Sequence, residues 1–585
     1  MKTVVHVTHE ALQKIGGIGA VLEGLCTSPV YQEGIQRNIL VGPIFDGDQA
    51  AADLLGQFGE VLYAGALGVD TGQWGQTFRP VEDEFGASII YGRRVFHDED
   101  TGQESRPEVL LVGVGRMREH PLAVFKLRLW ERFGIQSDQY DAWDYEQYTR
   151  LALPSYRALQ ALGVEGDGDE PVTLLAHEYM GMPTALLVVL EKNRRWRTLF
   201  YAHETATVRR IVEKHPGHDT MFYNALKQAK TEGMYLEDVF GSQKSYFKHP
   251  LVSAAHACDG ALAVGDFVRE ELRFLSPEFR DADVHLTYNG IPAHRIDRAE
   301  KLSARRLMQD YAESLTGTRP DYVFTHVARM ALSKGLWRDL KVLWNLDLAA
   351  RQEDWTTVLL VVSTEMGGPK PSGAILQMES RYGWPLAHRE GYPDLSGGEA
   401  EFYATVQRFN TCARNIRIIF LNQFVRGAQD CGKACPEALD FMDLRKGADL
   451  EFGQSIYEPF GIAQLEPLAF GGVCVPTGVC GCAGFLHRVG GNGDTRNTVI
   501  ADYTRLPEEP DTVEEMLKIG MVERGQVEEV EAARVAAEIL KRLPRDDAAI
   551  ERLLDSGYEL AQHMGWDAVA REYVLPAIAK ADARP

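Results

Sequence analysis

No stretch of this chain is apolar for long enough to cross a bilayer. Its N-terminus, MKTVVHVTHEALQK, places His and Glu soon after a short β-like run and lacks the long apolar core of a secretory leader. These absences predict a cytoplasmic protein that neither spans nor coats a membrane. Cysteine is scarce, with eight in 585 residues, which is too sparse for a disulfide framework. Cys431 and Cys435 lie four apart and Cys480 and Cys482 two apart. Neither pair belongs to a four-ligand zinc pattern, so the expectation is small buried thiols and no metal. Basic charge is also short: 62 Lys and Arg stand against 84 Asp and Glu, a net charge of −22. A general binder of nucleic acid or of anionic membrane carries a basic face. That class is excluded, although a local basic pocket for a phosphate-bearing ligand is not. Low-complexity tracts and short tandem repeats are missing.

What is present is a chain too long for one core, with 45% hydrophobic and 25% charged residues. Short apolar runs alternate with helix-like segments. The first series is TVVHVT (3–8), NILVGP (38–43), VLLVGV (109–114), VTLLAH (172–177), TLFYAH (198–203), ALAVGD (261–266) and VHLTYNG (284–290). A polar helical stretch over 293–321 separates it from a second series: YVFTHVAR (322–329), TTVLLVVST (356–364), IRIIFLNQF (416–424), VCVPTG (473–478) and TVIADY (498–503). Near-continuous apolar strands predict parallel sheets covered on both faces, hence two α/β units in tandem. GGPKPSG (367–373) and GGNGD (490–494) read as loops. In such sheets ligands bind beyond the carboxyl ends of the strands, and a cleft between two units is a favoured pocket.

The strand ends repeat one habit. Three runs end in His-Glu: His9-Glu10, His177-Glu178 and His203-Glu204. None continues to the second His of a helical zinc-protease motif. One such pair is an ordinary solvated loop, whereas three at strand ends point to a shared cleft. Between the first run and the next helix, QKIGGIG (13–19) supplies Lys14, Gly16 and Gly17. Glycine lets the backbone approach a ligand, and a helix start attracts an anion. In ARMALSKGLWRDL (328–340), Arg329 and Lys334 lie five apart past a strand, suited to a diphosphate leaving group. In SIYEPFGIAQLEPLAFGG (455–472), Glu458 and Glu466 have seven residues between them. A helix is expected over about 462–470, closed by Gly471-Gly472 and kinked at Pro467. Ionised carboxylates accept hydrogen bonds, so the pair suits a ribose and a hexose, whose hydroxyls donate them.

Taken in order, these motifs resemble the retaining GT-B glycosyltransferases of the glycogen and starch synthase type. YEPFGIAQLEPLAFG resembles that family's motif of two glutamates, QKIGGIG its Lys-x-Gly-Gly loop, and ARMALSKG its Arg/Lys diphosphate motif. LTYNGIP (286–292) resembles the segment that closes the first domain. YAHETATVRR (201–210), FYN (222–224), LWERFGI (129–135) and VPTGVCGCAGF (475–485) resemble the animal and fungal glycogen synthase branch. MGWDAVAREYVLPAI (564–578) resembles the C-terminal helix that returns to the first domain. Three departures suggest an outlying branch: KIGGIGAV has no Asp after its glycines, Pro467 interrupts the helix, and HETA stands where THN or THAT is commoner.

The resemblance implies an α/β GT-B fold with two Rossmann-like domains facing a central cleft. Residues 1–300, joined by a helix at about 560–585, would form the acceptor-side domain, and 316–555 the donor domain. It implies transfer of glucose, with retention, from UDP-glucose or ADP-glucose to the non-reducing end of an α-1,4-glucan, without a cofactor or metal. Arg329 and Lys334 would neutralise the diphosphate, Glu458 hold the donor sugar, and Glu466 bind the ribose. Lys14, Gly16, Gly17 and Gly461 would line the donor. His203 would lie beside the reacting sugar, with its main-chain carbonyl facing the positive charge, and His177 and Glu178 would face the acceptor. Two alternatives stay open: a small sugar, sugar phosphate or glycoside as acceptor, and a non-catalytic scaffold that binds glucan or nucleotide. A phosphorylase would need a Schiff-base lysine, which no motif supplies. The donor base, the acceptor and the oligomeric state are left open.

Overall fold

The computed structural model describes residues 2–98, 101–165, 170–366, 368–491, 495–508 and 510–584. Part of each expected glycine loop (Gly367, and 492–494) lies outside these residues. The chain forms two compact units. The first comprises Met1–Val208, Ala229–Gly290 and Trp566–Pro585; the second comprises Arg209–Gln228 and Ile291–Gly565.

The first unit is built on a ten-stranded sheet. Its strands are β1 (Thr3–Val7), β2 (Arg37–Pro43), β3 (Gly59–Ala64), β4 (Val69–Asp70) and β5 (Ser88–Arg94). After a separate small hairpin, β6 (Phe96–His97) and β7 (Glu104–Ser105), come β8 (Glu108–Gly113), β9 (Val172–His177), β10 (Trp196–Ala202), β11 (Gly260–Ala263) and β12 (Val284–Leu286). The order is β12-β11-β10-β9-β1-β2-β8-β5-β3-β4. From β12 to β8 every pair is parallel, and β5, β3 and β4 close one side as antiparallel strands. All of β1 and β9 is buried, as expected of strands covered on both faces. The chain builds outward from β1 on one side and then returns through β9 on the other. The carboxyl ends of β1 and β9 therefore flank the point where strand order reverses. The C-terminal segment packs in this unit: the Trp566 ring fills the space beside Gly24 and Gly290, where any Cβ would overlap it. Thr173 Oγ1 donates to Asp582 at 3.0 Å.

The second unit holds β13 (Tyr322–Val327), β14 (Thr357–Val362), β15 (Ile416–Leu421), β16 (Leu450–Gly453) and β17 (Val473–Pro476). All are parallel, in the Rossmann order β15-β14-β13-β16-β17. Strand alternation divides the core: Phe324, Leu359, Val361 and Phe420 face one layer of helices, and Val323, Val358, Leu360 and Ile419 the other. Here order reverses between β13 and β16.

Several expectations are corrected. TVIADY makes only two isolated bridges, Cys474–Thr498 and Thr477–Ala501, rather than a strand. Short β16 and antiparallel β3 and β5 are strands that the apolar runs did not indicate. The helix expected over 462–470 is one α turn, Ile462–Leu465, followed by a 3₁₀ segment, Glu466–Phe470. Pro467 has no N–H to continue the α pattern. Gly471 closes the segment at φ +71°. The helices Ser372–Tyr382 and Gly481–Gly490 extend into the stretches read as loops.

The segment 209–228, assigned by sequence to the first domain, belongs to the second unit. Buried Arg338 explains this. Its guanidinium clasps Asp219 at 2.6 and 2.9 Å, meets Glu528 at 3.1 Å and lies 3.9 Å from the Tyr503 ring centre. Thr220 and Asn224 donate to the carbonyls of Tyr503 and Thr504, each at 2.8 Å. No helix among the described residues is long and apolar enough to cross a membrane.

Candidate active site

In the first unit, β1, β9 and β10 are neighbours, so the three His-Glu pairs meet at one sheet edge. His177 Nδ1 lies 2.8 Å from His203 Nε2, and His177 Nε2 lies 3.0 Å from His6 Nδ1. The rings stack, with Tyr201 4.4 Å from His203 between centroids. Burial lowers the pKa of His6 to about 4 and of His203 to about 3. His177 falls well below the usual range, first through burial and then through its neighbouring imidazoles. These rings are neutral near pH 7. Glu178 sits at φ +57° and accepts the Glu204 N–H at 2.6 Å, which ties the ends of β9 and β10 together.

The loop after β1 differs from expectation. The Gly16 N–H, expected to line the donor, instead donates to Glu10 at 2.6 Å, as does the Ile15 N–H. Gly19 is required, because a Cβ there would crowd Glu10 and Lys14. Lys14 pairs with Glu23 at 2.6 Å on the surface. Gly17 opens the helix Gly17–Thr27, and the place of its missing Cβ is empty space.

The second unit gathers charge at the reversal between β13 and β16. Lys334, on the turn after β13, pairs with Glu458. Gly335 holds that turn at φ +63°, where a Cβ would overlap the Gln454 carbonyl. Arg445 is fully buried, forms an ion pair with Glu466 at 2.8 Å and donates to Glu451 at 3.2 Å. Glu451 also accepts the Val327 N–H at 2.9 Å. Burial raises the Glu451 carboxyl above its ordinary value while Arg445 opposes the rise. Gly461, at φ +92°, lets the chain turn beside Glu458 and Gln464. Arg329 is exposed and has no hydrogen-bond or ion-pair partner among the described residues. The two glutamates, expected to be balanced by donor hydroxyls, are each balanced by a cation of the protein. Both carboxylates keep a solvent-facing part, with side-chain exposures of 14% and 22%.

No protein-family model matches the chain, and no curated protein matches it by sequence. Among solved structures it is similar to the catalytic domain of starch synthase IV from Arabidopsis thaliana, bound to ADP and acarbose. Identity there is 13%, the TM-score is 0.52, and 100% of each chain is covered. It is also similar to the E. coli structure of trehalose-6-phosphate bound with UDP-2-fluoro glucose (11%, TM-score 0.50, 100% of each chain). A trehalose-6-phosphate synthase is similar at 12% identity and TM-score 0.50, again over 100% of each chain. The fold is GT-B.

Within this GT-B chain the expected residues fall into three groups. His177, Glu178 and His203 come together in the first unit, and Lys334, Glu458, Gly461 and Glu466 in the second. Arg329 stands past β13 without a partner among the described residues, while Lys14 and Gly16 are engaged by Glu23 and Glu10. The sequence pattern did not mark His6, Tyr31 beside it, or Arg445 and Glu451. His6 carried a usable signal, a histidine inside an apolar strand. Arg209, within YAHETATVRR, has its guanidinium 5.2 Å from the Tyr457 ring centre. Among the described residues no group of three or more His, Cys, Asp or Glu is placed to hold a metal ion.

Proposed function

We propose that this chain is a retaining glycosyltransferase that moves glucose from UDP-glucose or ADP-glucose to the non-reducing end of an α-1,4-glucan. One observation carries the reading: Lys334–Glu458 and Arg445–Glu466 stand at the strand-order reversal of a Rossmann-like sheet, and exposed Arg329 follows β13 on the same turn as Lys334. Ligands bind at such reversals. Similar folds holding ADP and a UDP-sugar analogue support a nucleotide-sugar donor.

Arg329 and Lys334 meet the leaving diphosphate, where fixed cations aimed at developing charge lower a barrier. Lys334 also pairs with Glu458, whose carboxylate accepts hydroxyls of the donor sugar. Arg445 pairs with Glu466, which faces the ribose. Gly461 and Gly17 keep side chains away from the donor. His177, Glu178 and His203 belong to the acceptor and the reacting sugar, and the neutrality of the two imidazoles suits a developing oxocarbenium ion better than imidazolium would. The donor is a substrate, and no cofactor is assigned. Eight free thiols fit a reducing cytoplasm.

A second reading keeps the chemistry and changes the acceptor to a small sugar phosphate. Similarity to a trehalose-6-phosphate synthase, near that to the starch synthase, favours it. One assay separates the readings: nucleoside diphosphate released from UDP-glucose and from ADP-glucose, alone, with glycogen, and with glucose 6-phosphate. Glycogen-dependent release supports the first reading and glucose 6-phosphate-dependent release the second. No release with either donor rejects glucosyl transfer and leaves a binding protein.

A further inference from the structure

His6, His177 and His203 touch nitrogen to nitrogen, at 3.0 and 2.8 Å. Beyond His6 the line continues: His6 Nε2 lies 3.1 Å from Tyr31 Oη, which donates to Asn38 Oδ1 at 3.2 Å. A bond between two ring nitrogens needs a proton on one and a lone pair on the other, and a neutral imidazole has one of each. The direction of one bond therefore sets the direction of all. His6, His177 and Tyr31 are fully buried, which disfavours a charged ring in the middle of the line.

The tyrosine end decides the direction. Its only hydroxyl proton goes to Asn38, so Tyr31 Oη accepts from His6 Nε2–H. His6 Nδ1 is then a lone pair and accepts from His177 Nε2–H. His177 Nδ1 in turn accepts from His203 Nε2–H. His203 Nδ1 is left bare, on a half-buried ring at the carboxyl edge of the sheet, without a partner among the described residues. Asn38 also favours a proton on His6, against the effect of burial.

We infer that Asn38, Tyr31, His6 and His177 are positioning residues that hold His203 as its Nε2–H tautomer, so that His203 meets a ligand through Nδ1 as a hydrogen-bond acceptor. The group it fits is a hydroxyl and not a phosphate. That this hydroxyl belongs to a sugar rests on the proposed function; the tautomer does not.

The test is long-range ¹H–¹⁵N NMR of the full chain labelled with ¹⁵N-histidine, without ligand at neutral pH. Signals are assigned by His6→Gln, His177→Gln and His203→Gln variants. The expected spectrum has all three rings neutral and protonated at Nε2. A proton on His203 Nδ1, or a charged ring, overturns the inference. Tyr31→Phe removes the acceptor for His6 Nε2–H, and a buried donor without an acceptor costs more than an idle lone pair. All three rings should then reverse, giving His203 Nδ1–H. An unchanged His203 in folded Tyr31→Phe refutes the relay. Asn38→Asp keeps an acceptor for the tyrosine proton and should leave the wild-type tautomers in place; reversal there also refutes it. Should Tyr31→Phe fail to fold, the wild-type and Asn38→Asp spectra decide. Correct tautomers with no glycosyl transfer would reject the proposed function and leave the relay standing.

Discussion

In each unit parallel strands run out from both sides of the first strand, yet the two points of reversal, β1/β9 and β13/β16, are furnished in opposite ways. Between β1 and β9 stand neutral rings that satisfy one another by sharing protons. Between β13 and β16 stand ions: Lys334 with Glu458, and Arg445 with Glu466 and Glu451. A net charge of −22 does not foretell this contrast, because it sums over the surface and not over a site. The same place in the same kind of sheet can be prepared for hydroxyls or for a charged leaving group. The choice rests on side chains that cost different amounts to strand: about 1–3 kcal/mol for a buried neutral donor or acceptor, and about 3–5 kcal/mol for one member of a buried ion pair.

The comparison breaks most readily at Arg445. Arg445→Met strands buried Glu451 and frees Glu466, and urea unfolding should show a loss of about 3–5 kcal/mol. A loss below about 1 kcal/mol would mean that the pair is solvated and the contrast overstated. Lys334→Ala comes next and should separate function from folding. Turnover of the sugar nucleotide should fall about 10²–10³-fold. Stability should move by about 1 kcal/mol or less, since the Lys334–Glu458 pair is partly exposed.

The neutral reversal has an acid signature. His6 titrates at about 4 and His203 at about 3 in the fold, against 6.5 in the unfolded chain. Below pH 6.5 the unfolded state binds more protons, so stability is complete above that pH and is lost as pH falls towards 4. His6 alone accounts for about 3 kcal/mol of the loss. Denaturant midpoints from pH 7 to pH 4 should trace this fall, and His6→Gln should flatten it. An equally steep fall in His6→Gln would place the acid sensitivity elsewhere. The smallest effect belongs to Lys14→Ala. Its surface pair with Glu23 predicts a stability change under about 1 kcal/mol, and a larger one would give Lys14 a structural role that its exposure does not suggest.

Much of the fold was legible. β1, β9, β10 and β13 to β15 are mostly apolar runs, as burial on both faces demands. β16 was missed because LEFG is four residues long and contains Glu451. That carboxylate is tolerated only because Arg445 meets it. β3 and β5 mix polar and apolar residues, as antiparallel strands at the side of a sheet can, and they lacked the signal that marked the rest. Pro467 announced the break in its helix, since the missing N–H is a local fact. At the site, the strand-end histidines and the two glutamates stood out by position. Their partners did not.

By itself the sequence determined the alternation of strand and helix and the appearance of His-Glu at three strand ends. Those depend on backbone geometry and burial, which act over a few residues. Only the tertiary structure decided that His6 meets His177 across 171 residues, that Arg338 clasps Asp219 across 119, and that Glu10 takes the Gly16 N–H. Hydrogen bonds and ion pairs act at contact distance. Which groups come into contact is set by strand order and chain return, and spacing along the chain does not carry that information.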